Sequence, residues 1–440
     1  MRRSNKSTFW LFTFATLATL GACSANPRVS APAETPTTSK IATDVLAESV
    51  EPPIAVGEPG VASTVVTADN HTALSSAAPA AKTSTTSQAT TTTSVPAADP
   101  TQACVEQLSV RQRAALVVWP AVYGDSLSSA TELVRTSGIG GVILMTAPPA
   151  SQAQAVRQMK DASALGVQVA VDEEGGTVQR LKSYGLLPAA QTAGSTMSAD
   201  QIRALVAAHG AKIHELGIDI VLGPVVDVAP IGELGPLGTR TISDDPDRVA
   251  EVGRAYVEGW EQAGILPILK HFPGHGAATA DTHISSARTP ALSSLRERDL
   301  VPYSRLSGSG AGVMVGHLIV PGLSKDETLP ATLDPDIVDG LLQHELGFKG
   351  PLIMSDALEM KAVSSKWTVA QASVQALRAG VDVVIFTSTA QVGPVIDAVV
   401  QAVGDGSLDE QRLTRGATRV AALSGPGFLS KCAVLLAKPA

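Results

Sequence analysis

The chain has 440 residues, a formal net charge of −8 and 17% charged residues. Because no basic cluster occurs beyond the first few positions, nucleic acid is excluded as an expected partner. The length would allow two or three average domains, but the composition changes so sharply along the chain that folded structure cannot be spread evenly over it.

The first 22 residues have the composition of a secretion signal. A basic start containing Arg2 and Arg3 precedes the apolar run FWLFTFATLATL, which is too short to cross a membrane as a helix. The following LGAC resembles the lipobox of bacterial lipoproteins, in which the cysteine, here Cys23, becomes the lipidated N-terminus. The sequence therefore predicts an extracytoplasmic protein anchored to the cell membrane by lipid. Ordinary signal cleavage is the alternative.

Residues 23–100 form a low-complexity segment. Serine, threonine, alanine and proline dominate it, as in TSTTSQATTTTSVPAADP, and it has neither helical nor strand periodicity. Such a segment buries too little apolar surface to offset the entropy lost on ordering, so a disordered tether is predicted. The folded domain is therefore expected to span residues 101–440.

Eight short apolar runs alternate with longer helix-like segments in this folded region. The runs are LVVW, GVILM, VQVAVD, IDIVLGPVVDV, ILPILK, GVMVGH, PLIMSD and VDVVIF. Runs without polar alternation are typical of parallel strands covered by helices on both faces. Eight of them, in a region somewhat longer than the roughly 250 residues of a typical (β/α)8 barrel, predict one α/β TIM-type barrel. An open doubly wound sheet is the competitor, but no GxGxxG motif follows the first strand.

Two cysteines remain once Cys23 is assigned to lipid. Cys104 and Cys432 lie at the two ends of the folded region, and a closed barrel would bring those ends together. Because an extracytoplasmic compartment is oxidising, a disulfide between them is predicted. Two buried thiols are the alternative.

Polar or charged residues stand at the carboxyl ends of five of the predicted strands. They are Asp172, Asp227, Lys270, His317 and Asp356. In a (β/α)8 barrel these ends meet at one face, where active sites are built. One aspartate in such a place is often only the N-cap of the next helix, but five polar ends together favour a site.

The segment KHFPGHGAATADTHIS contains the densest group of ionisable side chains. Lys270 and His271 are expected at the barrel mouth, and a proline with two glycines then releases the chain into a loop. On that loop, Asp281 and His283 stand two residues apart, so the carboxylate can hold one imidazole nitrogen while the other transfers protons. The sequence predicts a movable acid/base pair. His275, between the two groups, is interpreted as structural.

The segment MSDALEM offers a nucleophile. Asp356 ends a strongly apolar strand, where a carboxylate can be held rigidly beneath a reacting carbon. Glu359 is expected at the start of the next helix, where an acidic residue interacts favourably with the helix dipole. Asp356 is therefore preferred.

The segment VDEEGGTVQR offers groups that bind hydroxyls. Asp172 ends a strand, and Arg180 lies far enough along the chain to fold back over the mouth. A carboxylate and a guanidinium present several hydrogen-bonding positions to a polyhydroxylated ligand. Glu173 and Glu174 are interpreted as spare acids or solvated surface.

Together these segments resemble glycoside hydrolase family 3, in its β-N-acetylglucosaminidase branch. KHFPGHGAATADTH matches the family pattern K-H-F-P-G-H-G-x-x-x-x-D-[ST]-H at every fixed position. VDEEGGTVQRL, GPVVDVAP with LGTRTISDDP, and MSDALEM are similar to further family segments, and all occur in the family order. The resemblance covers residues 108–426.

The resemblance implies a retaining glycosidase that needs no cofactor or metal. Asp356 would attack the anomeric carbon, while His283, paired with Asp281, would protonate the leaving oxygen and then activate water. The family's sugar-binding positions fall on Asp172, Arg180, Arg240, Lys270, His271 and Met314. The expected substrates are glycans or muropeptides with a terminal β-linked GlcNAc, above all GlcNAc-MurNAc units of peptidoglycan. The expected state is a monomer.

Three other functions remain open. A phosphorylase on the same fold would use phosphate in place of water, since an imidazole repels phosphate less than a carboxylate does. A metal-dependent barrel hydrolase would use His271, His275, Asp281 and His283 as ligands, although Lys270 beside them would repel a cation. A non-catalytic sugar-binding lipoprotein would need no nucleophile and acid/base together.

Overall fold

The computed structural model describes residues 99–149, 154–230 and 237–437. The predicted signal peptide, Cys23 and almost all of the tether lie outside these residues. The helices are α1 (Pro100–Glu106), α2 (Val110–Leu116), α3 (Leu127–Ser137), α4 (Ala155–Ala162), α5 (Ala190–Thr196), α6 (Ala199–Leu216), α7 (Pro246–Gln262), α8 (Leu292–Glu297), α9 (Leu300–Leu306), α10 (Lys361–Ser364), α11 (Val369–Ala379), α12 (Val392–Gly404), α13 (Glu410–Leu423), α14 (Pro426–Leu436) and a π-helical segment, Asp336–Glu345.

The strands are β1 (Val118–Val122), β2 (Gly141–Leu144), β3 (Gln168–Val171), β4 (Glu173–Gly175), β5 (Val178–Gln179), β6 (Ile220–Val221), β7 (Leu266–Phe272), β8 (Ala287–Arg288), β9 (Gly312–Val315), β10 (Leu318–Ile319), β11 (Ile353–Ala357) and β12 (Val383–Phe386). Eight of these strands close into a barrel in the order β1-β12-β11-β9-β7-β6-β3-β2. All the barrel pairings are parallel, and β1 closes the barrel by pairing with both β2 and β12. The predicted barrel is confirmed.

Burial on both faces explains why the strand sequences lack polar alternation. Every residue of β2, β3, β9 and β12 is buried. Helices are delimited by local signals, as in α6, where Ser198 and Gln201 form a capping box. The same helix ends at Gly217, whose φ of 108° lies in the left-handed region that favours glycine.

Two strands differ from the predicted runs. The run LVVW begins inside α2, which extends to Leu116, so β1 starts at Val118. The run IDIVLGPVVDV, predicted as one long strand, pairs only as the two-residue β6 and through a single bridge from Val225 to Lys270. Pro224 interrupts this strand because it has no amide hydrogen to donate to the ladder.

The disulfide predicted between Cys104 and Cys432 is present, with the two Cα atoms 6.6 Å apart. It joins α1 to α14, the first and last helices of the described domain, across a sequence separation of 328 residues. No single helix among the described residues is long and apolar enough to span a membrane, and α13 with α14 reaches that length only across a bend of 119°.

Candidate active site

A cavity of about 480 Å³ opens at the carboxyl ends of the barrel strands. It brings together eight of the nine side chains for which the sequence predicts a catalytic or sugar-binding role. These eight are Asp172, Arg180, Arg240, Lys270, His271, His283, Met314 and Asp356. The ninth, Asp281, contacts His283. Their individual roles stay predictions.

A buried ammonium group lies between two carboxylates on one side of the cavity. Lys270, on β7, is 2% exposed, and its Nζ lies 2.8 Å from Asp172 Oδ1 and 2.6 Å from Glu174 Oε1. Burial alone would lower the pKa of Lys270, but the two carboxylates hold it above its ordinary value. Lys270 is therefore protonated, and its ammonium group is held between two ionised carboxylates.

Glu174 is a site residue that the sequence reasoning missed. Its carboxylate accepts two hydrogen bonds from Arg240, each 2.8 Å long, in addition to the contact with Lys270. Burial would raise the pKa of Glu174, but Lys270 and Arg240 outweigh that effect and lower it. The interpretation of Glu174 as a spare or solvated acid was wrong. Its signal was its place two residues after Asp172, the end of the predicted strand.

Glu173 is also buried, but it faces away from the cavity. Its Oε1 accepts hydrogen bonds from Gln179 Nε2 (2.8 Å) and His209 Nε2 (2.9 Å). Its Oε2 accepts the backbone N–H groups of Arg180 (3.0 Å) and Leu181 (2.9 Å). Glu173 therefore holds the β4–β5 hairpin that carries Arg180. The interpretation as solvated surface was wrong here too, because four donors replace water around this carboxylate.

Asp227 organises the two histidines of the KHFPGH segment. It is fully buried, and its Oδ2 accepts the backbone N–H (3.1 Å) and the Nδ1–H (2.7 Å) of His271. Its Oδ1 accepts the backbone N–H of His275 at 2.6 Å. Burial would raise the pKa of Asp227, but the contacts with His271 and His275 lower it. This contact fixes the tautomer of His271 with the proton on Nδ1, so Nε2 is the nitrogen that can accept a hydrogen bond.

The predicted acid/base pair is in contact. His283 Nδ1–H and the His283 backbone N–H both donate to Asp281 Oδ1 at 2.8 Å. Burial would raise the pKa of Asp281, but these hydrogen bonds lower it. The ionised carboxylate fixes the imidazole tautomer, so Nε2 is the nitrogen that can exchange a proton.

The loop that carries the pair is held at three points in this structure. The His275 Nε2 atom lies 3.1 Å from the Thr282 hydroxyl oxygen. The carbonyls of Thr282 and His283 accept backbone N–H groups of Ala362 (3.1 Å) and Lys361 (3.3 Å), which follow β11. The structure thus shows the loop docked beside the nucleophile strand, and its movement stays a prediction.

Asp356 lies at the end of β11, half-buried on the cavity wall. Its Oδ1 accepts the backbone N–H of Ala357 at 2.7 Å. Burial would raise its pKa, but His317, His271 and the Ala357 N–H together lower it below the ordinary value of 3.8. The carboxylate is therefore ionised at neutral pH, the form that a nucleophile requires.

Two other predicted placements were wrong. His317, expected with the strand ends that face the mouth, is fully buried and does not line the cavity. Its Nε2–H donates to the carbonyl of Ala357 at 2.9 Å, which supports the chain directly after Asp356. Glu359 lies in a turn before α10, where its Oε1 accepts backbone N–H groups of Thr387 (2.8 Å) and Ser388 (3.1 Å). It joins the ends of β11 and β12.

The histidines proposed as metal ligands have other partners. Nitrogen atoms of His271, His275 and His283 contact Asp227, Thr282 and Asp281, respectively. Within residues 99–149, 154–230 and 237–437, no group of three His, Cys, Asp or Glu side chains is arranged to hold a metal ion.

The chain matches one protein family over most of its length. The model of the glycosyl hydrolase family 3 N-terminal domain matches residues 106–423. The chain belongs to glycosyl hydrolase family 3.

Relatives in this family have the same barrel. The β-hexosaminidase LpqI of Mycobacterium tuberculosis is 40% identical over 270 residues, which cover 60% of this chain and 69% of that protein. A solved family 3 glycosyl hydrolase from Mycobacterium smegmatis is 35% identical with a TM-score of 0.69, covering 73% of this chain and 99% of that one. A family 3 β-N-acetylglucosaminidase from a Paenibacillus species is 28% identical with a TM-score of 0.69, covering 76% of this chain and 64% of that one.

Proposed function

We propose that this family 3 enzyme is a retaining exo-β-N-acetylglucosaminidase that removes terminal β-linked GlcNAc. One observation carries the proposal: the ionised Asp356 carboxylate and the Asp281-paired imidazole of His283 are brought to the same cavity. A nucleophile and a proton carrier are the two groups that a two-step displacement requires.

In the first step, an Asp356 oxygen forms a bond to the anomeric carbon as the bond to the leaving oxygen breaks. His283 Nε2–H gives its proton to that oxygen, and the product is a glycosyl ester of Asp356. In the second step, His283 Nε2 takes a proton from water, whose oxygen attacks the anomeric carbon. The ester bond breaks, and the Asp356 carboxylate and the protonated His283 are regenerated.

Sugar binding is assigned to the charged groups on the opposite side of the cavity. Asp172 accepts hydrogen bonds, and Lys270, Arg240 and Arg180 donate them, so the group can bind several hydroxyls of one pyranose. His271 adds a nitrogen whose tautomer Asp227 fixes, and Met314 adds an apolar wall. The relatives named as β-hexosaminidase and β-N-acetylglucosaminidase support a 2-acetamido sugar in this position.

We place the enzyme outside the cytoplasm, attached to the membrane through lipid on Cys23 and a tether that ends near residue 100. The lipobox-like sequence and the disulfide support this location. The β-linked GlcNAc available there belongs to peptidoglycan fragments, so GlcNAc-MurNAc units and muropeptides are the proposed substrates. A domain of residues 101–440 acting as a monomer is sufficient for this activity.

The deciding experiment compares an aryl β-N-acetylglucosaminide with the matching aryl β-glucoside. We expect wild type to prefer the former, and His283→Ala to lose about two to four orders of magnitude in turnover. A fluorinated N-acetylglucosaminyl probe should label Asp356 covalently. Absence of the label from an active enzyme would contradict the retaining mechanism.

Phosphorolysis is tested as well, because an imidazole acid/base tolerates a phosphate ion near it. The same assay, run with and without phosphate, distinguishes the two reactions. Free GlcNAc should form at equal rates with and without phosphate, and accumulation of the sugar 1-phosphate would instead identify a phosphorylase. Turnover should persist after treatment with a metal chelator, whether the acceptor is water or phosphate.

A further inference from the structure

A second cavity of about 570 Å³ lies beside the candidate active site. It is lined by the end of β1, by residues 387–390 directly after β12, and by one face of α3 from Ser129 to Thr136. Ala121 and Thr387 line both cavities, so the two spaces adjoin at these residues. We call the second cavity the β1–β12 groove.

The groove has an exposed aromatic ring at its edge. Tyr123, the first residue after β1, lines the groove and is 46% exposed. Aromatic residues make up only 3% of the sequence, and Tyr123 is the one exposed aromatic side chain in the part of the chain that the structure describes. An open tyrosine ring offers an apolar face and a polar tip, which suits the face of a pyranose and its hydroxyls.

The rest of the groove is rich in hydroxyl groups. Its polar lining includes Ser126, Ser129, Thr136, Ser388 and Thr389. Hydroxyls can both donate and accept, so they match the hydroxyls of a sugar. The acidic lining residue, Glu132, is paired with Arg135, and no Lys or Arg belongs to the lining that the described residues provide. This chemistry favours the polyhydroxylated ring of a sugar.

The barrel order relates the groove to the reacting bond. Asp172 and Lys270, on the β3 and β7 side, occupy one part of the first cavity, and Asp356 ends β11. Beyond β11, the closed barrel continues to β12 and β1, whose ends border the groove. In a two-step displacement the leaving oxygen departs from the face of the sugar opposite Asp356, toward the open mouth of the cavity. Because the two spaces share Ala121 and Thr387, a sugar attached through that oxygen can extend into the groove.

We propose that the β1–β12 groove binds the first sugar of the leaving group, with its pyranose ring stacked on Tyr123. This inference rests on the proposed function, since it assigns the position of the sugar released by the same reaction. It implies that the enzyme is selective for oligosaccharides over glycosides with a small leaving group.

The test uses two substrates with the same GlcNAc and different leaving groups. N,N′-diacetylchitobiose releases a neutral pyranose that would fill the groove, and the β-azide of GlcNAc releases only three atoms. The measured quantity is the ratio of kcat/KM for chitobiose to kcat/KM for the azide. We expect Tyr123→Ala to lower this ratio about tenfold, while Tyr123→Phe, which keeps the ring, stays within about twofold of wild type.

A second pair of variants tests whether the open volume of the groove is needed, independently of the Tyr123 ring. Ser129→Trp fills the groove from α3 and should lower the ratio at least as much as Tyr123→Ala. Ser128→Trp places the same side chain at the adjacent exposed position, outside the groove lining, and should keep the wild-type ratio.

Two results would contradict the proposed subsite. The first leaves the proposed function standing, and the second contradicts it as well. If wild type cleaves both substrates but Tyr123→Ala and Ser129→Trp leave the ratio unchanged, the groove does not bind the leaving sugar and the proposed function stands. If wild type cleaves neither the azide nor chitobiose, the proposed function fails and the subsite fails with it.

Discussion

The imidazole of His275 lies 3.1 Å from the hydroxyl of Thr282, the residue between Asp281 and His283. Asp227 holds His275 through its backbone N–H and holds His271 through its ring. One buried carboxylate thus supports both a predicted sugar-binding histidine and the loop that carries the predicted proton carrier. Asp227 and His275 are positioning residues for a pair that they do not contact directly.

Thr282→Val should weaken the reaction by displacing the acid/base pair. The substitution removes a buried hydrogen bond, and a displacement of about 1 Å in a reacting group costs up to about a hundredfold in rate. The loss in kcat/KM should be largest for aryl glycosides with poor leaving groups, because these need the proton from His283. A series of leaving groups measures the difference, and Thr282→Ser should restore activity. An equal loss for all leaving groups would show a general structural defect instead.

Glu174→Gln should lower the catalytic efficiency by loosening the cationic groups of the cavity. Glu174 contacts Lys270 and accepts two hydrogen bonds from Arg240. The amide keeps the size of the side chain but removes its charge, and its nitrogen then faces a donor where an oxygen stood. Loss of such charge-assisted partners costs about 3 kcal/mol, which corresponds to about a hundredfold in kcat/KM. Steady-state kinetics with the aryl β-N-acetylglucosaminide measure the loss.

Glu173→Gln is the matched control for that experiment. The neighbouring carboxylate is equally buried but contacts His209, Gln179 and backbone N–H groups outside the cavity. Glu173→Gln should lower the melting temperature, because the amide NH2 group replaces a carboxylate oxygen that accepts hydrogen bonds and so faces other donors. Its kcat/KM should fall far less than that of Glu174→Gln. An equal loss of kcat/KM in the two variants would contradict the separate tasks assigned to the two acids.

Asp334→Asn should stabilise the protein at neutral pH. Burial, with nearby Asp336 and Asp326, raises the pKa of Asp334 to about 6, and its Oδ2 has no hydrogen-bond partner among the described residues. Because the folded state binds this proton more tightly than the unfolded state, stability falls as the pH rises from 3.8 to about 6. This pKa shift of Asp334 corresponds to at most about 3 kcal/mol in the free energy of unfolding. Thermal melts of both proteins should differ at pH 7.5 and converge near pH 4.

Removal of the disulfide should lower stability without lowering activity at 25 °C. The bond between Cys104 and Cys432 closes almost the whole barrel, and loss of such a bond costs about 2–5 kcal/mol. Cys104→Ala and the double variant Cys104→Ala/Cys432→Ala should have similar melting temperatures, both below wild type. Wild type in reductant should fall to the same level. A large drop in kcat/KM at 25 °C would mean that the bond also shapes the site.

The barrel and most of the site were predictable because they follow from local rules. Eight buried runs separated by helices predict a parallel barrel, and residues at strand ends then meet at one face. The spacing of Asp281 and His283 already predicts their contact, since a carboxylate reaches an imidazole two residues away on a turn. Asp172, Lys270 and Asp356 follow in the same way.

What the tertiary structure decided is the direction in which similar side chains face. Glu173 and Glu174 are adjacent and identical in type, yet strand alternation directs one to the hairpin and the other to the cavity. His317 stands just beyond a strand end like the site residues but faces Ala357 and Thr332. The sequence by itself determined the fold and most of the chemical groups of the site. Only three-dimensional packing decided which of those groups share a cavity, because burial and hydrogen-bond partners come from residues far away in the chain.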